Sequence, residues 1–378
     1  MPVMPKLMIE LGALDLSQAA IWGGVLASIF AVMQFIFGPF IGNLSDRYGR
    51  RPVLLVSLAA MAIDYVIMGF AHALWVLVIG RIIGGITSAT HATANAYMAD
   101  ISAPDEKSQN FGLIGAAFGV GFILGPILGG LLGEFGSRTP FFAAAALAGL
   151  NTIFGIFVLS ETVTDEIRRP FRWARANPFG GFKYIGKLPG VTRLLIVYFF
   201  YNIAFYVYPS VWAYFTQEKF GWEPAMTGMS LAAFGLAMAL VQGGLIRWVI
   251  PRLGEHRTVL YGFAINMVAF TSYALVTDGW MIFALAPITS LGVIAGPALQ
   301  GIMSRAAGND QQGELQGVLT SISAVGVIIS PLLMTNAFSY FTRDDAPFYF
   351  AGAPFILSML LVALALVIFS GRKRLGGV

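Results

Sequence analysis

The chain has 378 residues, of which 57% are hydrophobic and only 11% charged, with a formal net charge of +4 and a mean hydropathy of +0.76. An ordinary globular domain carries about 25% charged residues, so this composition excludes a disordered chain and a nucleic-acid module, and the absence of cysteine excludes a disulfide scaffold. What remains is an all-α polytopic membrane protein, because the long unbroken apolar runs lack the every-second-residue alternation of a transmembrane β-barrel.

The first residues, 1–14, are apolar but interrupted by Pro2, Pro5, Lys6 and Glu10, and are too short to cross a bilayer. They read as the outer end of a partial first helix whose beginning is missing. Apolar runs over 18–43, 53–71, 74–99, 111–133, 140–160, 192–215, 225–249, 258–277, 280–303, 315–341 and 347–370 then predict eleven complete spans. The polar stretch 161–189, with Arg168, Arg169, Arg172, Arg175, Lys183 and Lys187 beside Phe171, Trp173 and Phe182, is expected to be a linker. It reads equally well as a surface-lying amphipathic helix or as a solvated loop. The organisation that follows is an N-terminal helical half (1–160), a linker (161–190) and a C-terminal helical half (191–378).

If the linker is cytoplasmic, alternate loops are too. Lys and Arg on that side number 18, and only Lys6, Arg81, Arg138, Lys219 and Arg343 fall elsewhere. This bias places the linker and the C-terminus in the cytoplasm and the protein in the inner (plasma) membrane as a multi-pass protein. An internal repeat supports two halves. A shift of 205 residues places Arg47 on Arg252, Gly49 on Gly254, Leu55 on Leu260, Met98 on Met303, Asp105 on Asp310, Gly112 on Gly317 and Pro126 on Pro331. Parallel repeats of this kind are one architecture of secondary transporters, which bind substrate at the interface of the halves.

Two segments carry the strongest patterns. Gly42-Asn-Leu-Ser-Asp46-Arg47-Tyr-Gly49-Arg50-Arg51-Pro52 joins the first two complete spans, where glycine permits a tight turn and Asp46 can pair with a base or cap a helix. Gly119-Val-Gly121-Phe-Ile-Leu-Gly125-Pro126-Ile-Leu-Gly129-Gly130 lies inside an apolar run, where small residues allow close helix approach and proline bends the helix. The first resembles the loop signature between helices 2 and 3 of the major facilitator superfamily, and the second resembles the fifth-helix motif of its drug:proton antiporter branch. Arg81 fits the fourth-helix motif, in which an intramembrane arginine is linked to proton coupling. Asp64-Tyr65, Ser210-Val-Trp212, Phe220-Gly-Trp222, Pro297-Ala-Leu-Gln300-Gly301 and Gln312-Gly-Glu-Leu-Gln316-Gly317 look like the tetracycline-resistance efflux pumps.

The resemblance implies the major facilitator fold of two six-helix halves. It also implies a secondary active transporter that exports small drug-like or amphiphilic compounds by proton antiport and alternating access. The alternative is a metabolite transporter of the same fold, an uptake symporter or a facilitator. The chain departs from the tetracycline pumps at two positions: Asn266 stands where they carry an aspartate, and Met238 where they carry a histidine, while Gln242 survives. The acidic residue of the family's helix 1 would lie upstream of Met1.

Coupling to a proton gradient needs a titratable group in the membrane, where charge is costly and marks function. Asp64 and Arg81 are the candidates, with His91 beside them; a structural hydrogen bond, a structural ion pair and neutral packing are the respective alternatives. Gln34, His91, Asn95, Asn202, Tyr206, Trp212, Phe234, Gln242, Asn266 and Gln300 are expected to line the substrate cavity, amides fixing orientation and aromatics offering broad contact. His72, His91 and His256, with scattered acids and no cysteine, offer neither a nucleophile–base pair nor a metal cluster, so no enzyme and no cofactor beyond the proton gradient is expected. The expected partners are a small-molecule substrate, protons and the lipid bilayer, with no nucleic acid, around a monomer.

Overall fold

The computed structural model describes residues 2–13, 15–88, 90–103, 107–165, 168–173, 176–188, 190–307 and 311–371; the side chains of 90–92, 107–109, 111, 112, 115, 186 and 187 lie outside that description. Within it the chain is α-helical, with α1 (Met4–Glu10), α2 (Leu16–Tyr48), α3 (Arg50–Gly69), α4 (Leu74–Thr87), α5 (Thr90–Ile101), α6 (Lys107–Gly133) and α7 (Thr139–Val158) before the linker. After it come α8 (Thr192–Phe205), α9 (Val207–Phe220), α10 (Pro224–Leu240), α11 (Ile246–Leu253), α12 (Glu255–Leu275), α13 (Gly279–Ser290), α14 (Ala295–Ala307), α15 (Gln312–Thr342) and α16 (Ala353–Ser370).

Ten stretches among the described residues are long and apolar enough to cross a membrane. The eleventh run, expected as one span over 74–99, is described as α4 and α5 on either side of residue 89, and neither reaches membrane length alone. The 205-residue shift explains the pattern. It carries the starts of α3, α4, α5 and α6 onto the starts of α12, α13, α14 and α15, and α13 is joined to α14 by a short 3-10 turn, Leu291–Ile294. The run 192–215 is likewise divided, with Tyr206 between α8 and α9. A π-turn, Val241–Leu245, separates α10 from α11. Among its described residues the linker holds no α-helix and includes the 3-10 stretch Gly180–Lys187.

Local chemistry sets the ends. Asp15 caps α2 by accepting from the Gln18 N–H at 2.7 Å. Gly49 takes φ +110° and Gly254 φ +73°, so α2 turns directly into α3 and α11 into α12 across one residue that only glycine adopts freely.

Packing divides the chain into two units, Met1–Gly180 with Thr216–Ala232, and Gly181–Phe215 with Ala233–Val378. In the first, α3 packs on α7 and α4, and α2 on α4 and α1. In the second, α16 packs on α12 and α8, and α8 on α15.

Candidate functional site

In the first unit the loop motif is a knot of charge-assisted bonds. Arg50 donates through Nη1 to Asp46 Oδ1 (2.5 Å) and Ser45 Oγ (2.7 Å), and through Nε to Asp100 Oδ2 (3.1 Å), so one guanidinium ties α2, α3 and α5. Arg51 reaches the end of α7 by donating to the Ile156 carbonyl at 2.7 Å. Glu161 completes the knot. Its carboxylate accepts from the backbone N–H groups of Arg50 (2.9 Å) and Arg51 (3.3 Å), the positive end of α3. A Cβ on Gly49 would stand 2.6 Å from Glu161 Cδ, so this glycine serves both the turn and the close approach. Gly42 contributes its carbonyl to the Ser45 hydroxyl (2.8 Å), and Arg47 lies over the Tyr48 ring. Glu161, Asp100 and Ser45 were not among the residues expected from sequence.

The glycine–proline motif of α6 makes a helix crossing with the start of α10. A Cβ on Gly130 would lie 2.5 Å from the Pro224 carbonyl oxygen, and one on Gly228 would collide with the Pro126 carbonyl. Glu134, one turn on, accepts from the Ala225 N–H at 3.1 Å. Gly121 and Gly125 face open space and Gly129 touches only Pro2, at 4.0 Å. The motif thus has a tight end and an open end.

Asp64 on α3 is 4% exposed and rests against Gly80 and Gly84, which share one face of α4. Its Oδ1 has no hydrogen-bond partner. No ion pair joins Asp64 to Arg81 among the described residues. Arg81 instead directs Nη2 to Met68 Sδ (2.9 Å) and lies over the Phe30 ring, with its Nε buried and unpartnered. Asp64 and Arg81 are therefore both brought into the α2–α3–α4 layer, near enough for mutual Coulomb attraction but without a direct ion pair. The side chain of His91 lies outside the described residues. Gln34 is exposed and Asn95 half-buried in this unit.

In the second unit Asn202 donates to the Tyr198 carbonyl (2.9 Å) and Tyr198 Oη meets Ser323 Oγ (2.9 Å), joining α8 to α15. Tyr206 sits half-buried at the α8–α9 break, and Gln242 and Gln300 are exposed. Trp212, Phe234 and Asn266 are in the interior. Trp212 packs edge-on against Tyr273, Phe234 stacks on Tyr208, and Asn266 donates to the Gly292 carbonyl at 2.9 Å.

Membrane-length apolar helices in a twice-repeated order, with a charged loop knot and a buried carboxylate inside a span, define a multi-pass membrane protein of the transporter class. The chain belongs to the Major Facilitator Superfamily, whose sequence pattern matches residues 1–331. It is similar to the class C tetracycline resistance protein of Escherichia coli, 40% identical over 339 residues, covering 90% of this chain and 85% of that one. Multidrug resistance protein 2 of Bacillus subtilis (strain 168) is 29% identical over 366 residues, 95% of this chain and 88% of the other. The fold matches the crystal structure of a bacterial homolog of the human lysosomal transporter Spinster, in its inward-facing, unoccupied conformation, with a TM-score of 0.78, 17% identity, and coverage of 97% and 91%. The chain is accordingly a membrane-embedded transporter of a small-molecule substrate.

Proposed function

We propose that the chain exports small drug-like or amphiphilic compounds from the cell by alternating access, in exchange for protons. The observation that carries this reading is the 40% identity to a tetracycline resistance protein across nine-tenths of the chain. The substrate leaves chemically unchanged, so the protein acts as a transporter and not as an enzyme, and its only drive is the proton gradient. Asp64 is the proton-binding group, and Arg81 and His91 take part with it in the coupling step. Gln34, Asn95, Asn202, Tyr206, Gln242 and Gln300 offer polar substrate contacts; Trp212, Phe234 and Asn266 support them from the interior. The knot around Arg50 latches one conformational state, and the crossing at Gly130 another.

In the same reading the protein is a monomer of the inner membrane, organised as halves 1–160 and 191–378 about the linker 161–190. The loop motif, the linker and the C-terminus face the cytoplasm, as the excess of Lys and Arg on that side favours.

Everted membrane vesicles from cells making the chain test the proposal. Energised vesicles should accumulate tetracycline or a planar cationic dye, and a protonophore should release it. Vesicles that hold a measured gradient yet accumulate neither would overturn the reading.

A further inference from the structure

The end of α2 that carries the loop motif holds a second feature beside the knot around Arg50. α2 has 33 residues and is about 50 Å long, against a hydrocarbon core about 30 Å thick, so its ends stand in the headgroup layers. There the linker is pinned to α2 by its backbone. The Arg169 N–H donates to the Asp46 carbonyl at 3.2 Å, and the Asn43 amide donates to the Arg172 carbonyl at 2.7 Å. Phe40 of α2 and the linker residues Phe171 and Trp173 form a cluster of three rings, their centroids 5.2–5.9 Å apart.

With the backbone used for docking, the side chains of Arg169 and Arg172 remain exposed, and Trp173 is 76% exposed. Neither guanidinium has an ion-pair partner among the described residues. Among the described residues the nearby carboxylates are already engaged: Asp46 with Arg50, Glu161 with the start of α3, and Asp165 with Arg168. Arg47, also exposed, lies 5.0 Å from the centre of the Tyr48 ring on the same end of α2.

We propose that Arg47, Arg169 and Arg172, with Trp173 and Tyr48 beside them, bind the phosphate of an anionic phospholipid in the adjoining leaflet. Guanidinium forks match phosphate oxygens, and indole and phenol rings favour the boundary between headgroup and acyl chain. Exposed cations alone would suit any anion. Exposed rings at the end of a membrane-crossing helix select one that presents an apolar chain beside its charge. The inference does not depend on what the chain transports.

The test uses the full chain in phosphatidylcholine vesicles, titrated with brominated phosphatidylglycerol or brominated phosphatidylcholine. The emission of Trp173 is obtained by difference from Trp173→Phe. Each surface arginine contributes about a fivefold preference for anionic lipid. Brominated phosphatidylglycerol should therefore quench Trp173 at the lower mole fraction, and Arg169→Gln with Arg172→Gln should weaken that preference about 25-fold. Arg169→Lys with Arg172→Lys keeps the charge but not the fork, and should lose less of the preference than the Gln pair does. Equal quenching by both lipids, a preference untouched by the Gln pair, or equal loss in both pairs overturns the assignment. Full recovery of the emission with excess inorganic phosphate would overturn it too, in favour of a soluble anion.

Discussion

Arg50 and Glu255 occupy the same place in the two halves, 205 residues apart, and carry the same ion pair with its polarity exchanged. Each follows a glycine at positive φ and opens a helix. Arg50 Nε meets Asp100 Oδ2 at 3.1 Å, Glu255 Oε1 accepts from Arg305 Nη1 at 2.6 Å, and each partner lies 50 residues on. The two knots differ in solvent exposure. The Arg50 side chain is 13% exposed and shared with Asp46 and Ser45, whereas that of Arg305 is 67% exposed.

A solvated pair contributes about 0.2–1 kcal/mol. Removing a partly buried guanidinium that serves three acceptors costs about 1.5–3 kcal/mol. Arg50→Gln is therefore expected to destabilise the purified protein clearly more than Arg305→Gln does. Unfolding of both variants in the same detergent measures the difference, and equal losses would contradict it.

This inverted pair shows where sequence reading stops. The turns at Gly49 and Gly254 are legible because a glycine between two apolar runs has a local reason to be there. The partners are not. Glu161 reaches back 111 residues to the start of α3, and nothing in its own surroundings announces that. Asp100 and Arg305 acquire meaning only when both halves are laid on each other and the charges are seen to have traded places. The breaks at residue 206 and between α13 and α14 escaped for a different reason, since hydropathy stays high across a broken apolar run. Trp212 and Phe234 read as cavity aromatics, but their packing partners Tyr273 and Tyr208 lie on segments whose registry against them is a tertiary fact.

The crossing of α6 with α10 gives a graded test of the glycine motif. Gly130→Ala places a methyl 2.5 Å from the Pro224 carbonyl, and backbone cannot swing aside as a side chain can. The expected cost is about 1–3 kcal/mol. Gly125→Ala meets nothing within 4 Å and gains helix propensity, so it is expected to be neutral or stabilising by up to about 1 kcal/mol. Thermal unfolding of the two single variants decides; a Gly125 variant as damaged as the Gly130 variant would refute the division into a tight and an open end.

At Asp64 the prediction separates architecture from coupling. One carboxylate oxygen has no donor, so Asp64→Asn forfeits no hydrogen bond there and should change stability by less than about 1 kcal/mol. Accumulation driven by a proton gradient should disappear, while substrate-for-substrate exchange, which needs no net proton movement, should persist. Loss of both activities in a well-folded variant would move Asp64 from coupling to substrate binding. Gly84→Ala, whose methyl would stand 2.6 Å from Asp64 Oδ2, should cost about 1–3 kcal/mol by crowding the same carboxylate.

Asn266 carries the last prediction. The residue is 1% exposed, its amide donates to the Gly292 carbonyl at 2.9 Å, and a Cβ on Gly292 would collide with its side chain. The site is therefore shaped around an amide that gives a hydrogen bond. An ionised aspartate has no proton to give, so Asn266→Asp would set a buried negative charge against a carbonyl oxygen. Leaving such a charge uncompensated costs about 3–5 kcal/mol. A protonated aspartate could restore the bond, and the variant should consequently regain stability as the pH is lowered. Asn266→Ala removes donor and charge together and should cost less than the aspartate at neutral pH, about 1–3 kcal/mol for the carbonyl left unpaired. Unfolding of both variants across pH checks the order. An aspartate variant as stable as the parent at neutral pH would show that the buried Tyr201 side chain, which hydrogen-bonds residue 266, is enough to hold the charge.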